Sequence, residues 1–455
     1  MKILMTGATG LIGKEIGKKL VSEGHEITVL TRNIVEAKSS LPFPAKFLAW
    51  GHYSEALPPS YFDNIDSVIH LAGESIASGR WTSKRKKQIL ESRVIGTRNI
   101  VEAIKSSNKS VKQFISASAI GIYGDGKEWV DENSSLGEDF LSVVCKKWES
   151  ESHELLKVGI NVINPRIGIV LSGKGGAMDK MLPIFSLGLG AVIGNGKQWM
   201  SWIHQEDLTN MFSFFIKTPN LIGAFNAVAP NPKNNKDFSK ILATALGRGL
   251  FFPVPGLMLK VALGDMSTLV IKGQKVSSKK ITSKGFVFKY ENLDQALLDL
   301  CAPLKSGQQE MVSEIWLPKK VSEVFPFFTD EKNLERLTPD FLNFHVVKKS
   351  TDTIQEGTLI DYRLKLRGVS LKWRTLIENW EPDKKFVDRQ IKGPYRLWHH
   401  THEFEEIAGG TLMRDRVLYK LPMGRLGQLF SGPFVKADVT KIFSFRKKTI
   451  AQIFH

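Results

Sequence analysis

The opening run MKILMTGATGLIG constrains the fold more than any other stretch: a short apolar strand passes through Gly7, Gly10 and Gly13 into a helical pattern. Glycines at this spacing let the chain turn tightly, let its backbone approach a phosphate and let the helix pack on the strand. The N–H groups at the start of that helix favour an anion. A merely structural glycine turn is the competing reading, but the strand–turn–helix context favours a dinucleotide cradle.

The first half continues in kind. Strands are expected at residues 2–8, 26–32, 46–50, 66–73, 113–119 and 161–171, alternating with helices at about 11–23, 83–106 and 138–157. Alternation of this sort predicts a doubly wound parallel α/β sheet covered on both faces. From about 172 to 300 the pattern turns mixed and Gly/Pro-rich, as in a small substrate lobe grown from loops beyond the strand ends. CAPLKSGQQE (301–310) reads as a linker. Beyond it, residues 311–455 show alternating stretches such as GTLIDYRLKLRG and LWHHTHEFEEI and then an apolar helix, an antiparallel α+β pattern.

An NAD site usually carries Asp or Glu at the end of its second strand, to bond the adenosine ribose. This chain has Thr31 and Arg32 there, and a guanidinium pairs well with a 2′-phosphate. The expected cofactor is therefore NADP(H). Two cysteines, Cys145 and Cys301, exclude a disulfide framework and suit a reducing compartment, so a soluble, cytoplasmic protein is expected. No apolar run reaches the roughly 20 residues of a membrane span. The net charge of +17 favours anionic partners, yet the densest run, SKRKKQ (83–88), comes without a nucleic-acid-binding motif. It reads as the exposed face of a helix, and nucleic acid is not expected.

Longer stretches carry a resemblance: HLAGESIASGRW with Ser92–Arg93, the run from Pro165 to Leu208, GAFNAVAPNPKNNKDF, and GQKV followed by GFVFKYENLDQAL. Together they make residues 1–300 resemble the extended short-chain dehydrogenase/reductases, in their YfcH-type epimerase-like branch. The strand pattern, HHTHEF and GTLMRD make residues 311–455 resemble a START/polyketide-cyclase-like (SRPBCC) domain. The resemblances imply a Rossmann-type domain acting on a small-molecule substrate and a helix-grip domain enclosing an apolar ligand. They imply a cofactor cleft lined by Gly7, Thr9, Gly10, Leu11, Ile12, Gly13, Thr31, Arg32, Leu71, Ala72, Gly73, Glu74 and Arg93, with Pro165 beyond the last strand.

The dehydrogenases of this superfamily use a Tyr-x-x-x-Lys relay, and Tyr123 and Lys127 have that spacing. Gly124 and Gly126 lie between them, so the segment reads as a turn and the spacing as coincidence. On the helix where the family keeps its relay, anchored at Glu149, the two positions fall at Leu141 and Cys145. The usual relay is absent. Ser118 and Tyr123, at the carboxyl end of the fifth strand, remain as catalytic candidates, against the reading that they only bond backbone and pack. Cys145 reads as a small apolar residue. In SWIHQEDL, Asp207 reads as a helix cap. His400 and His402 share a strand face in LWHHTHEF, with Asp415 or Glu403 as conceivable third ligands, but the sequence places neither and no metal is assigned. Trp373, Trp380 and Trp398 read as core residues before cavity lining.

Overall fold

The computed structural model describes every residue except 109, 305, 306, 425, 426 and 428–430. It divides into two compact units, one of residues 1–34 and 45–302, the other of residues 35–44 and 303–455.

The first unit is built on strands β1 (Lys2–Thr6), β2 (Glu26–Thr31), β3 (Lys46–Ala49), β4 (Ser67–His70), β5 (Gln113–Ser116), β6 (Asn161–Ile167) and β7 (Gly223–Ala227). They pair in parallel in the order β7-β6-β5-β4-β1-β2-β3. The order reverses between β1 and β4, the switch point outside which ligands bind in such sheets. Helices α1 (Leu11–Ser22), α2 (Ser83–Lys105) and α3 (Phe140–His153) supply the crossovers. Leu4, Val68 and Phe114 from the strands interlock with Ile100, Val101 and Ile104 of α2, all at most 1% exposed. That face explains the near-continuous apolar runs of the central strands. Beyond β6, α4 (Gln205–Lys217), α5 (Asn235–Ala245) and, but for its last residue, α6 (Leu293–Cys301) fall within residues 172–300, where the small lobe is expected.

Two details differ from the sequence expectation. Pro165 lies inside β6 and is buried, opposite Phe225 of β7; it is not beyond the last strand. On β6's other side β5 pairs up to Ile115, and the two-residue strand Ser118–Ala119 resumes in the same register. The lapse between them spans Pro165, which has no N–H to give to a ladder. Asp207 does not cap its own helix. His204 takes that position through Glu206 N–H, while the buried Asp207 carboxylate accepts from Lys289 N–H at 2.7 Å and Tyr290 N–H at 2.9 Å.

The expected linker is shorter than 301–310, because α6 runs to Cys301 and the next strand starts at Gln309; its residues 305 and 306 lie outside the described ones. The second unit is an antiparallel sheet of β8 (Gln309–Leu317), β9 (His345–Lys349), β10 (Leu359–Leu366), β11 (Val369–Glu381), β12 (Lys385–Lys392), β13 (Leu397–Ile407) and β14 (Gly410–Lys420). Its order is β8-β14-β13-β12-β11-β10-β9, so the first strand lies beside the last. The long helix α7 (Gly432–Phe454) buries Val439, Phe443, Ile450 and Ala451 against this sheet. Trp373 and Trp398 pack edge to face at 5.3 Å, and Trp380 packs on Phe325 and Phe386. Among the described residues no helix is long and apolar enough to cross a membrane.

Candidate functional site

The switch point is where the glycine turn sits. Gly7 has φ +68°, and a Cβ there would stand 2.8 Å from the Leu71 carbonyl carbon and 2.9 Å from the Ala72 nitrogen. A Cβ at Gly13 would lie 2.3 Å from the Gly7 oxygen. Side chains at these two positions would push the turn off β4 and off its own helix. Thr9 and Gly10 are exposed at the tip, while Leu11 and Ile12 are half-buried at the start of α1.

A buried triad below the turn fixes the ends of β1 and β4 together. Thr6 Oγ1 accepts from Leu71 N–H and Ala72 N–H, each at 3.2 Å, which uses its lone pairs. Its own proton therefore goes to His70 Nδ1 at 2.7 Å, and His70 Nε2–H goes to Thr97 Oγ1 at 3.1 Å. Burial, aided by the Arg93 charge, pushes the imidazole pKa down to about 3, so it is neutral. Sequence reading missed His70, whose only signal was a lone polar residue ending a central apolar strand.

Arg32 follows β2, exposed beside the Thr31 hydroxyl, and lies 3.6 Å from Glu74 Oε1. Arg85 holds the other carboxylate oxygen of Glu74 at 2.9 Å. Arg93 donates to the Glu74 carbonyl at 3.0 Å and lies against Gly73, whose Cβ would meet the guanidinium carbon at 3.1 Å. The expected residues from Gly7 to Gly13, Thr31–Arg32, Leu71–Glu74 and Arg93 thus come together outside β1, β2 and β4. Pro165, inside β6, does not join them. The SKRKKQ run is more engaged than expected: besides Arg85, Lys86 meets Asp265 at 2.6 Å.

Ser118 and Tyr123 lie beyond β5, and both hydroxyls are spoken for. Ser118 Oγ donates to Glu149 Oε1 at 2.6 Å. Arg166 grips Glu149 with Nε at 2.9 Å and Nη2 at 2.8 Å, and extends Nη1 to Tyr123 Oη at 2.9 Å. Tyr123 Oη donates to Asn226 Oδ1 at 2.6 Å. Burial pushes the phenol up to about 12, although Arg166 pulls the other way. Tyr123 ends a one-turn 3-10 helix, Ile120–Tyr123, and Lys127 is exposed beyond a turn, so the two form no relay. Leu141 and Cys145 sit one turn apart on α3. Burial raises the Cys145 thiol to about 11. Lys147 faces solvent. The sequence signal for the missed pair was Arg166 itself, a charge within an apolar strand, which burial obliges to find a partner.

Known proteins resemble this chain in sequence and in fold. The family profile described as "NAD dependent epimerase/dehydratase family" matches residues 3–228, and "Domain of unknown function (DUF1731)" matches 254–300. The chain is 38% identical over 308 residues to "Epimerase family protein YfhF" of Bacillus subtilis (strain 168), covering 67% of this chain and 100% of that one. It is 36% identical over 303 residues to the chloroplastic SDR39U1 homolog of Arabidopsis thaliana, covering 65% and 86%. The crystal structure of human epimerase family protein SDR39U1 (isoform2) with NADPH is similar at a TM-score of 0.59 and 29% identity, covering 67% of this chain and 100% of that one. At 19% identity and a TM-score of 0.55, the UDP-glucuronic acid 4-epimerase of Bacillus cereus shares the fold, covering 67% and 100%.

Proposed function

This chain belongs to the NAD dependent epimerase/dehydratase family, and from that membership we propose that it is an NADP(H)-binding, epimerase-like oxidoreductase acting on a small-molecule substrate. The observation that carries the cofactor is Arg32: the end of β2 offers no carboxylate, and among the described residues the exposed guanidinium is tied only by a 3.6 Å ion pair to Glu74. Such exposed pairs contribute little, so exchange for a 2′-phosphate is cheap. Human SDR39U1, solved with NADPH, supports the same choice. Gly7 to Gly13 and the N-terminus of α1 would hold the pyrophosphate, with the Leu71–Ala72 backbone packed against Gly7.

The bound nicotinamide would supply or accept a hydride. In this reading Ser118 and Tyr123 would orient a substrate carbonyl, but the network that holds them leaves neither free to relay a proton near neutral pH. Leu141 and Cys145 cannot relay one either. Reduction of a small activated carbonyl, which asks least of a proton donor, suits this set best. Epimerisation of a sugar carbon, which needs an acid/base partner, suits it least. The second unit, with its first and last strands adjacent and α7 packed on the sheet, is read as an SRPBCC-type helix-grip domain for an apolar ligand. Two buried cysteines that form no disulfide support a cytoplasmic location.

The locked hydroxyls support a second reading, a non-catalytic NADP(H)-binding redox or ligand sensor. Following NADPH absorbance across a panel of small carbonyl compounds separates the two. Turnover of any member supports the enzyme; saturable NADPH binding with no turnover across the panel supports the sensor.

A further inference from the structure

Inside the second unit, four ionisable side chains meet on one face of the sheet, and the cofactor reading uses none of them. Alternation along β13 puts His400 and His402 on that face. The antiparallel register sets Asp388 of β12 directly opposite His400, and Asp415 of β14 directly opposite His402. Helix α7 brings Arg446 onto Asp415 Oδ2 at 3.0 Å. His400, His402, Asp415 and Arg446 are buried, while the Asp388 side chain keeps 21% of its surface exposed.

The two imidazoles divide their nitrogens between the two carboxylates. On the β12 side, His400 Nδ1 and His402 Nε2 lie 3.4 and 3.1 Å from one atom, Asp388 Oδ2. On the β14 side, His400 Nε2 and His402 Nδ1 lie 3.0 and 2.8 Å from one atom, Asp415 Oδ1. The second of these is close in distance without the alignment of a hydrogen bond. Neighbouring candidates drop out: His399 stands 3.5 Å from Glu378, and Glu403 is held by Arg414 at 2.7 Å.

A neutral imidazole carries one N–H. If His400 gives it to Asp415 Oδ1, with which it makes an aligned hydrogen bond at 3.0 Å, its Nδ1 lone pair faces Asp388 Oδ2. Ligand atoms of Asp388, His400 and His402 lie within 4.8 Å of one another. Ligands at about 2.0–2.2 Å from a tetrahedral zinc ion stand roughly 3.3–3.6 Å apart.

We propose that Asp388 Oδ2, His400 Nδ1 and His402 Nε2 bind one divalent first-row transition-metal ion of the Zn²⁺ class. Asp415 then accepts the distal N–H of His400, the outer-sphere role that fixes ring tautomer and orientation, stands 2.8 Å from His402 Nδ1, and is anchored by Arg446. Two nitrogens and one oxygen suit Zn²⁺ or Co²⁺ over Mg²⁺ or Ca²⁺. Three protein ligands leave a fourth position, on the Asp388 side, for water or a ligand oxygen.

The test is a Co²⁺ titration of the chelator-treated full chain, read by visible d–d absorption, with Zn²⁺ as competitor. One equivalent of Co²⁺ should bind with a tetrahedral-type spectrum, be displaced by Zn²⁺, and raise the melting temperature. Asp388→Asn, at the partly exposed ligand, should weaken binding at least tenfold, and Asp415→Asn by roughly 10–100-fold. The wild-type stoichiometry and melting shift stand even if His402→Gln does not fold. No saturable Co²⁺ spectrum in the wild type, or equal affinity in wild type and Asp388→Asn, would overturn the proposal and leave the cluster as a protonated histidine pair.

Discussion

Arg32 is the side chain on which the proposed cofactor selectivity turns, and the sequence offered it because strand-end position and chemistry coincide there. Tyr123 was readable only as a candidate. Its partners Arg166 and Asn226 are 43 and 103 positions away in sequence, separations that local pattern does not bridge. Tyr123→Phe removes a hydroxyl that donates to Asn226 and accepts from Arg166. It should cost about 1–3 kcal/mol in urea unfolding, since two buried polar atoms lose their partner. Any turnover should keep the shape of its pH profile, because a phenol near 12 does not titrate in the working range. Loss of a limb of that profile would make Tyr123 the proton donor after all.

Strands and helices of the first unit fall within a few residues of their sequence expectations, because period-2 and period-3.6 patterns alternate cleanly there. The departures across the chain have physical causes. β9 escaped notice because HVVKK is a short, mostly exposed edge strand with no alternation to read. Asp207 resembled a cap because its role lies with the Lys289–Tyr290 backbone, 82 and 83 positions on. The Glu149–Arg166 pair, with side chains 5% and 7% exposed, ties α3 to β6. Arg166→Met should destabilise the fold by about 3–5 kcal/mol, because Glu149 is left buried and uncompensated. The double variant Glu149→Leu/Arg166→Met should recover most of that loss in denaturant unfolding. A double variant as unstable as the single one would show that the pair acts through something other than mutual charge compensation.

Across the whole chain, one buried titratable group gives acid sensitivity a named source. Folding lowers the His70 pKa from 6.5 to about 3. Between those values the unfolded chain holds one more proton than the folded one. The contribution is therefore complete above about pH 6.5 and is lost as pH falls, by about 1.4 kcal/mol per unit until the folded pKa is reached. Denaturation midpoints at pH 7, 6 and 5 should fall more steeply for the wild type than for His70→Asn; equal slopes would remove His70 as the cause. Two units were expected from the change of texture near residue 300. That residues 35–44 group with the second unit was not, since Trp316 N–H meeting the Leu41 carbonyl at 3.0 Å leaves no mark in either local pattern.

The measurement that tests the central claim most directly is a fluorescence titration of the purified chain and of Arg32→Ala with NADPH and NADH, at two salt concentrations. The wild type should bind NADPH more tightly than NADH. Arg32→Ala should lose roughly tenfold or more for NADPH alone, as expected for one charge-assisted phosphate contact, with the loss shrinking at high salt. Equal weakening for both cofactors, or saturable binding of neither by the wild type, would contradict the NADP(H) assignment.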